Sequence, residues 1–400
     1  MSVTGTSRVM KLFLSALLVV VGLVAGARDA AAYPQFQFSS GTNRCSQCHY
    51  SPSGGGLLTS WGRDESADTI SAFGGDGAFL NGLVPLPSWL GLGGDFRLAA
   101  LSNDVGNASG PENVVFPMQL DIYGRAAIGE DWSINATVGV RGVTRPNDGS
   151  FGGRVAAAGD DFISREHYIM WRPSATGPYA RAGRIFAPYG IRFVEHPYFI
   201  RRYTGFNLYE ETYNLSGGYV SDDWEVHGTA FGPVPANMVS QLAAIGPQQS
   251  GVVGYGELRL AKMSALAGQF RLAFGDNQSR YQVGGVGKLW LEKPKILLLG
   301  EADLIHQTLT AASYSQNQFV SYTGVWLFPY KGLMTSVAYE RYQENLAVST
   351  TGRNAWDLQV NFFPWAHTEA VFLGRYQFTG QGAIDGGTAT MFMFQLHYYL

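Results

Sequence analysis

The only two cysteines of the chain fall in one pentapeptide, Cys45-Ser46-Gln47-Cys48-His49. Thiols three residues apart stand on the same side of a helical turn. Each can form a thioether to a haem vinyl group while the adjoining imidazole meets the iron, which makes Cys-x-x-Cys-His the attachment pattern of haem c. Two other chemistries use paired cysteines. A thioredoxin-like pair belongs in a βαβ context, and residues 33–56 are rich in Gly, Ser and Pro with no such pattern. A zinc site needs four ligands, and the sequence has no second cysteine pair and no His-x-His cluster. The sequence predicts one covalently bound haem c, with Cys45 and Cys48 as anchors and His49 as the proximal iron ligand.

The sixth iron position is not assigned by the sequence. Between Tyr33 and Leu92 there is no second His, no Met and no Lys. A distal ligand therefore comes from beyond residue 92, or the position is open. His167, His196, His227, His306, His367 and His397 are the remaining histidines; any one of them reads more readily as an ordinary lumen or loop residue than as the ligand, and the sequence does not choose among them. Residues 33–92 form a small haem-carrying segment punctuated by Gly54-Gly55-Gly56, Gly74-Gly75 and Pro85-Leu86-Pro87, with room for one or two short helices such as Thr59 to Phe73. Sixty residues of this kind bury little core, so the segment needs a partner to pack against.

Ahead of it, residues 1–32 read as an export signal. Arg8 and Lys11 supply the positive region, Leu12 to Val24 the apolar run, and Ala30-Ala31-Ala32 the small-residue cleavage site. Removing Arg8, Lys11, Arg28 and Asp29 with this leader takes the formal charge from −3 to −5. No basic stripe remains for nucleic acid.

The rest of the chain, residues 93–400, must position the motif. Charged residues are only 15% of the sequence, aromatics reach 14% and Gly numbers 51, a balance that excludes disorder and does not suit a soluble sandwich. From Gly94 onward apolar and polar residues alternate in blocks of about ten, separated by turn residues. Met118, Leu120, Ile122, Gly124, Ala126 and Ile128 oppose Gln119, Asp121, Tyr123, Arg125 and Ala127. Trp132, Ile134, Ala136, Val138 and Val140 oppose Asn135, Thr137 and Arg141. Trp356, Leu358, Val360 and Phe362 oppose Asp357, Gln359 and Asn361. Phe392, Phe394, Leu396, Tyr398 and Leu400 oppose Met391, Met393, Gln395 and His397. The polar faces carry isolated charges among Gln, Asn and Tyr, which suits a wet lumen, and aromatics recur at strand ends like an interfacial girdle. Lipid cannot satisfy a free sheet edge, so the strands must close. The expected fold is all-β: an outer-membrane antiparallel β-barrel of about 16 strands with a small N-terminal c-type haem plug. The final residue, Leu400, stands where such barrels commonly end on an aromatic.

One stretch breaks the alternation. Gly183 to Glu211 interleaves Arg184, Arg192, Glu195, His196, Arg201, Arg202, Glu210 and Glu211 with Phe, Tyr and Pro. It reads either as a loop folded into the pore, lining a constriction or holding the haem unit, or as two strands with a long exposed hairpin.

Signal, then Pro34, Phe36 and Gly41 leading to Cys45, Cys48 and His49, then a barrel to the C-terminus: this order resembles the fused outer-membrane cytochrome–porins of iron-oxidising bacteria, over the whole mature chain. Where that family carries an Arg-Gln-Thr-Gly-like stretch, this chain reads Gln37 to Arg44 without one. The resemblance implies a haem that takes an electron from extracellular Fe(II) and passes it inward. The expected partners are outer-membrane lipid, an extracellular redox donor or acceptor, and a periplasmic c-type cytochrome or other carrier. Two further functions fit the same residues: a solute porin whose haem-bearing plug is a redox gate, and haem-based turnover of a small molecule such as peroxide, for which no acid/base pair stands beside the motif in the sequence.

Overall fold

The computed structural model describes residues 34–106, 110–141, 162–207, 210–233, 249–261, 263–379 and 387–400. The expected leader, residues 1–32, lies outside the described residues. Sixteen strands are described: β1 Leu90–Asp104, β2 Glu112–Ile128, β3 Trp132–Arg141, β4 Phe162–Trp171, β5 Gly177–Ile185, β6 Thr212–Val220, β7 Trp224–Gly232, β8 Ser250–Leu260, β9 Ser264–Phe274, β10 Gln278–Leu291, β11 Ile296–Leu309, β12 Tyr314–Tyr330, β13 Leu333–Gln343, β14 Gly352–Phe362, β15 Thr368–Thr379 and β16 Thr388–Tyr399. Each pairs antiparallel with its sequence neighbours, and β1 closes on β16 from Asp95↔Tyr399 to Asp104↔Thr390, giving a closed barrel with no free edge.

The period-2 alternation has two environments to serve. Leu120, Ile122, Trp132, Ile134, Trp356, Leu358 and Leu396 point out and are exposed to the surroundings of the barrel, while Asp121, Asn135, Asp357, Gln359 and His397 are buried inside. An apolar exterior of this extent is stable only against lipid. Trp89, Trp132, Trp224, Tyr330 and Trp365 are exposed along one rim, the girdle expected at a membrane interface. This is an outer-membrane barrel. The same rim carries short turns such as 129–131, 221–223 and 331–332, the kind that faces the periplasm.

Two residues depart from the expected parity. Leu400, expected on the face of Phe392, Phe394 and Leu396, is buried and lines a cavity inside the barrel, because it lies past the end of β16, where its backbone pairs with Gly94. The other is Met118. Arg97 pairs with Gln119 and Leu98 with Pro117, so Met118 is the extra residue of a bulge. Below the bulge the alternation holds; above it the facing reverses. Met118, expected among the lipid-facing residues, instead packs with Phe116 on the buried Ala99, Leu373 and Met393.

Several charges inside the barrel are paired, along one strand or across neighbouring ones. Arg259 bridges Glu225 and Glu257, Lys288 reaches Glu257 at 2.7 Å, and Arg375 meets Glu340 at 2.7 Å and Asp357 at 2.9 Å. Among the described residues, two stretches of polypeptide fill the lumen between these walls: the segment before β1, and the connection between β5 and β6.

Candidate haem-attachment site

The N-terminal segment seats in the periplasmic mouth. Phe36, 2% exposed, places its ring 5.7 Å from Phe328 and 5.8 Å from Phe363. Gln37 donates to Glu257 at 2.7 Å and accepts from Lys288 at 2.6 Å, Arg44 pairs with Asp222 of the β6–β7 turn at 2.8 Å, and Arg181 donates to Ser51 and Ser53 at 3.1 and 3.0 Å. Further along, the amides of Ala72 and Phe73 donate to Phe363 and Pro364 of the β14–β15 turn. The barrel wall supplies the packing that sixty residues cannot give themselves.

Within this plug, Cys45–Cys48 form one helical turn, α1, closed by the His49 amide on the Cys45 carbonyl at 3.1 Å. His49 then bridges to Leu58, and residues 49–58 make a small hairpin whose tip is Gly54-Gly55-Gly56. All three glycines have φ between +64° and +80°, a region closed to most side chains. Thr59 caps the next helix, α2 (Ser60–Glu65), accepting from the Gly62 amide at 3.1 Å, and a π-turn continues it over Ser66–Ile70. The helix expected within Thr59 to Phe73 is this pair. A Cβ on Gly62 would lie 2.3 Å from the Cys48 carbonyl oxygen. The absence of a side chain there is what lets α2 lie directly against the motif.

Cys45, Cys48 and His49 all line one partly open cavity, about 1150 Å³ with the solvent-filled space at its mouth included. Its apolar wall is Phe36, Leu58, Ile70 and Phe363, and Arg44, Arg97, Arg192 and Lys288 stand around it. A flat apolar ring carrying two carboxylates and two vinyl groups matches that lining. A Cβ on Gly54 would lie 3.1 Å from the Cys45 Cβ and 3.9 Å from the His49 ring, so the tip glycine keeps clear the space beside both groups. Burial raises the Cys45 thiol above its ordinary value. Burial, then Cys45 and Glu65, pushes Cys48 up to about 12.

Of the six other histidines, the fold brings His397 to this cavity. It accepts no simple description as a free iron ligand: its Nδ1 lies 2.7 Å from Glu369 and its Nε2 3.0 Å from Asp95. His167 bonds Ser164 and Tyr213, His227 bonds Tyr179 and contacts Glu225, His306 bonds Asn317, and His367 bonds the Asp76 carbonyl. His196 lines a neighbouring cavity. No acid/base group adjoins the motif in the sequence; Asp95 and His397, distant along the chain, supply a carboxylate and an imidazole there. No spacing in the chain signalled them, because closure of β1 on β16 is what brings them together.

The stretch Gly183 to Glu211 resolves as the pore-folding alternative. After β5 the chain enters the lumen, makes one helical turn, α3 (Phe199–Arg202), and returns to β6. Tyr189 donates to Asp303 at 2.6 Å, the Gly190 amide to Gln269 at 2.7 Å, and Tyr198 to Gln359 at 2.7 Å. The Phe199 amide donates to Glu340, and Arg192 reaches back to the Ser53 carbonyl. The loop is thus pinned to β9, β11, β13 and β14 across the pore, and to the plug below it.

No known family profile matches the chain, and no characterised relative matches it in sequence. Solved structures do match in fold. Pseudomonas putida OprB aligns with a TM-score of 0.58 at 10% identity, over 78% of this chain and 94% of that one. The anion-selective porin of Comamonas acidovorans aligns at 0.57 and 11%, over 78% and 99%. A loop-deletion form of OmpT from Vibrio cholerae aligns at 0.57 and 10%, over 78% and 99%. At such identities the likeness is one of architecture: the chain has the fold of a porin-type outer-membrane barrel.

Proposed function

We propose that this protein is a fused outer-membrane cytochrome–porin that carries one covalent haem c on Cys45 and Cys48, with His49 as axial ligand, and passes electrons between an extracellular redox partner, Fe(II) being the donor its family resemblance implies, and a periplasmic c-type cytochrome or other carrier. One observation carries the reading: the sole Cys-x-x-Cys-His of the chain sits on a single helical turn facing a large cavity inside a membrane barrel. When bound, haem supplies a one-electron couple whose potential the surroundings set. The chain's own residues do the rest. Phe36, Gln37 and Arg44 hold the motif at the periplasmic mouth. Arg192, Lys288 and Arg97 line the cavity, each already facing a wall carboxylate, and would share their donors with the carboxylates of a bound porphyrin. Phe36, Ile70 and Phe363 keep water from its ring.

The test is direct. Membrane-extracted protein from a host with haem c maturation should retain haem through denaturing electrophoresis, show c-type absorption bands, and become reduced on adding Fe(II). Cys45→Ala with Cys48→Ala should abolish the covalent band. Colourless wild-type protein would overturn the proposal. The porin-like architecture supports a second reading, a solute channel gated by the plug. It requires conductance that changes with haem oxidation state while electron flux across a proteoliposome stays negligible.

A further inference from the structure

Above the motif cavity lies a second one, about 1220 Å³ with its open mouth included, between β1–β5 and the lumen loop. The two adjoin: the glycine tip, Asp95, Arg97, Tyr123 and Arg192 stand in the walls of both. Five arginines line the upper cavity: Arg97, Arg165, Arg181, Arg192 and Arg201. His196 joins them.

The carboxylates there are already engaged. Asp95 holds Arg97 at 2.7 Å, Asp121 holds Arg165 at 2.8 Å, Glu301 accepts the Ile191 amide and Gln269, and Glu166 accepts from the Phe186 backbone. Arg181 and Arg201 are different. Arg181, 4% exposed, donates to two serines, and Arg201 donates to the Phe193 carbonyl; neither forms an ion pair among the described residues. The Nε atoms of both, and His196 Nδ1, are buried without a hydrogen-bond partner among the described residues. Buried donors left this way cost folding free energy unless something occupies the space before them. Burial, and then Arg165, lowers Arg201 to about 10, and burial followed by Arg201 and Arg165 drives His196 well below its ordinary value. Burial is the larger cause of both shifts, and neighbouring arginines add to it against the opposing pull of Glu211 and Glu195 on Arg201 and of Asp95 on His196.

We propose that the upper cavity is a binding site for a small anion with several oxygen acceptors, a polycarboxylate or a compact oxyanion, held by Arg181, Arg201 and His196. Guanidinium forks suit such oxygens, and a low-dielectric lumen strengthens the attraction. On the haem reading, an anion here, including one that chelates a metal, stands next to the motif across Gly54. That extension rests on the haem reading; anion binding itself does not.

Equilibrium dialysis of the full-length, detergent-solubilised protein against labelled citrate, with sulfate as competitor, tests it. We expect saturable binding near one citrate per barrel, weakened by added NaCl. Arg201→Gln and His196→Gln should each lower affinity at least tenfold, with Arg201→Lys retaining most of it. Competition by sulfate identifies compact oxyanion recognition, and its failure identifies a polycarboxylate site. Cys45→Ala/Cys48→Ala protein, free of haem, should bind citrate equally, which separates this proposal from the previous one. No saturable binding of either anion would overturn it. So would binding that neither variant alters in protein that still shows the mobility of a folded barrel.

Discussion

Replacing Phe36 by Ala tests whether residues 34–89 form a unit that can leave the barrel without unfolding it. The ring is fully enclosed and meets Phe328 and Phe363 edge-on, so truncation removes both burial and two aromatic contacts. Phe→Ala at such a site costs about 3–5 kcal/mol, the upper end applying where neighbours cannot collapse. Phe328 and Phe363 are fixed to strand ends and a rim turn, which favours the upper half. At about 1.4 kcal/mol per tenfold, the undocked population of the plug should rise by roughly two to three and a half orders of magnitude. The barrel ladder is untouched, so the loss should appear as local opening. Hydrogen exchange followed by mass spectrometry should show peptides from residues 45–73 exchanging faster by that factor, while β8–β14 keep wild-type protection. Leu358→Ala, on the lipid face, is the control and should change neither. If strands and plug lost protection together, the two would be one cooperative unit and the reasoning would fail. If neither moved, the polar anchors at Gln37, Arg44 and Ser51 would be carrying the docking.

Other consequences follow from particular contacts. Gly62→Ala drives a methyl into the Cys48 carbonyl; haem attachment, measured as retained haem per protein, should fall several-fold while barrel mobility on gels is unchanged. Arg375→Met leaves Glu340 and Asp357 buried without their shared cation, at a cost of about 3–5 kcal/mol, so the denaturant midpoint of the barrel should drop and Glu340→Gln in the same chain should recover part of it. In refolded haem-free protein the Cys48 thiol, pushed up to about 12 from 9.0, should alkylate at pH 8 about a thousandfold more slowly than in urea-unfolded chain; equal rates would show the motif to be undocked. Glu195 sits in the lumen loop, receives a bond from Gln359 at 2.7 Å, and burial raises its carboxyl above the usual 4.5. The folded loop therefore prefers the protonated form. Docking is fully favoured below the ordinary carboxylate value and weakens as pH rises through the raised one, so loop proteolysis should increase over that window in wild type and stay flat in Glu195→Gln.

Strand parity was legible because each side chain faces lipid or lumen and the residue types differ accordingly. Leu120 and Asp121 need no tertiary information to be assigned. Met118 was misassigned because a bulge leaves no mark in composition: the residue is apolar on either side, and only the pairing of Arg97 with Gln119 and Leu98 with Pro117 reveals the slip. The motif Cys45–His49 was visible because covalent chemistry dictates local spacing. Its surroundings were not. Arg192, His397 and Phe363 come from three distant parts of the chain, and each is individually unremarkable in sequence. The lumen loop lies between these cases. Its unusual mixture of charge and aromatics marked it as different, yet only its bonds to Asp303, Gln359 and Glu340 decide that it crosses the pore.

The way the lumen is filled bears on which function the barrel can serve. A solute channel conducts by leaving space along its axis, and here the loop and the plug are tied to the wall and to each other, through Arg192 on Ser53 and Arg181 on Ser51. Moving a solute past them means breaking several buried bonds at once, each costing on the order of 1–3 kcal/mol when a partner is left unsatisfied. Electrons need no such opening. They need a carrier fixed at one face of the barrier and a partner held close on its other side, and two adjoining cavities with the glycine tip and Arg192 in a common wall are an arrangement that rigid packing favours. The same bonds that tie the loop and the plug across the lumen hold the motif in place, so mutations that loosen the plug should raise conductance while lowering electron flux. A variant that raised both together would count against a carrier fixed in the barrel.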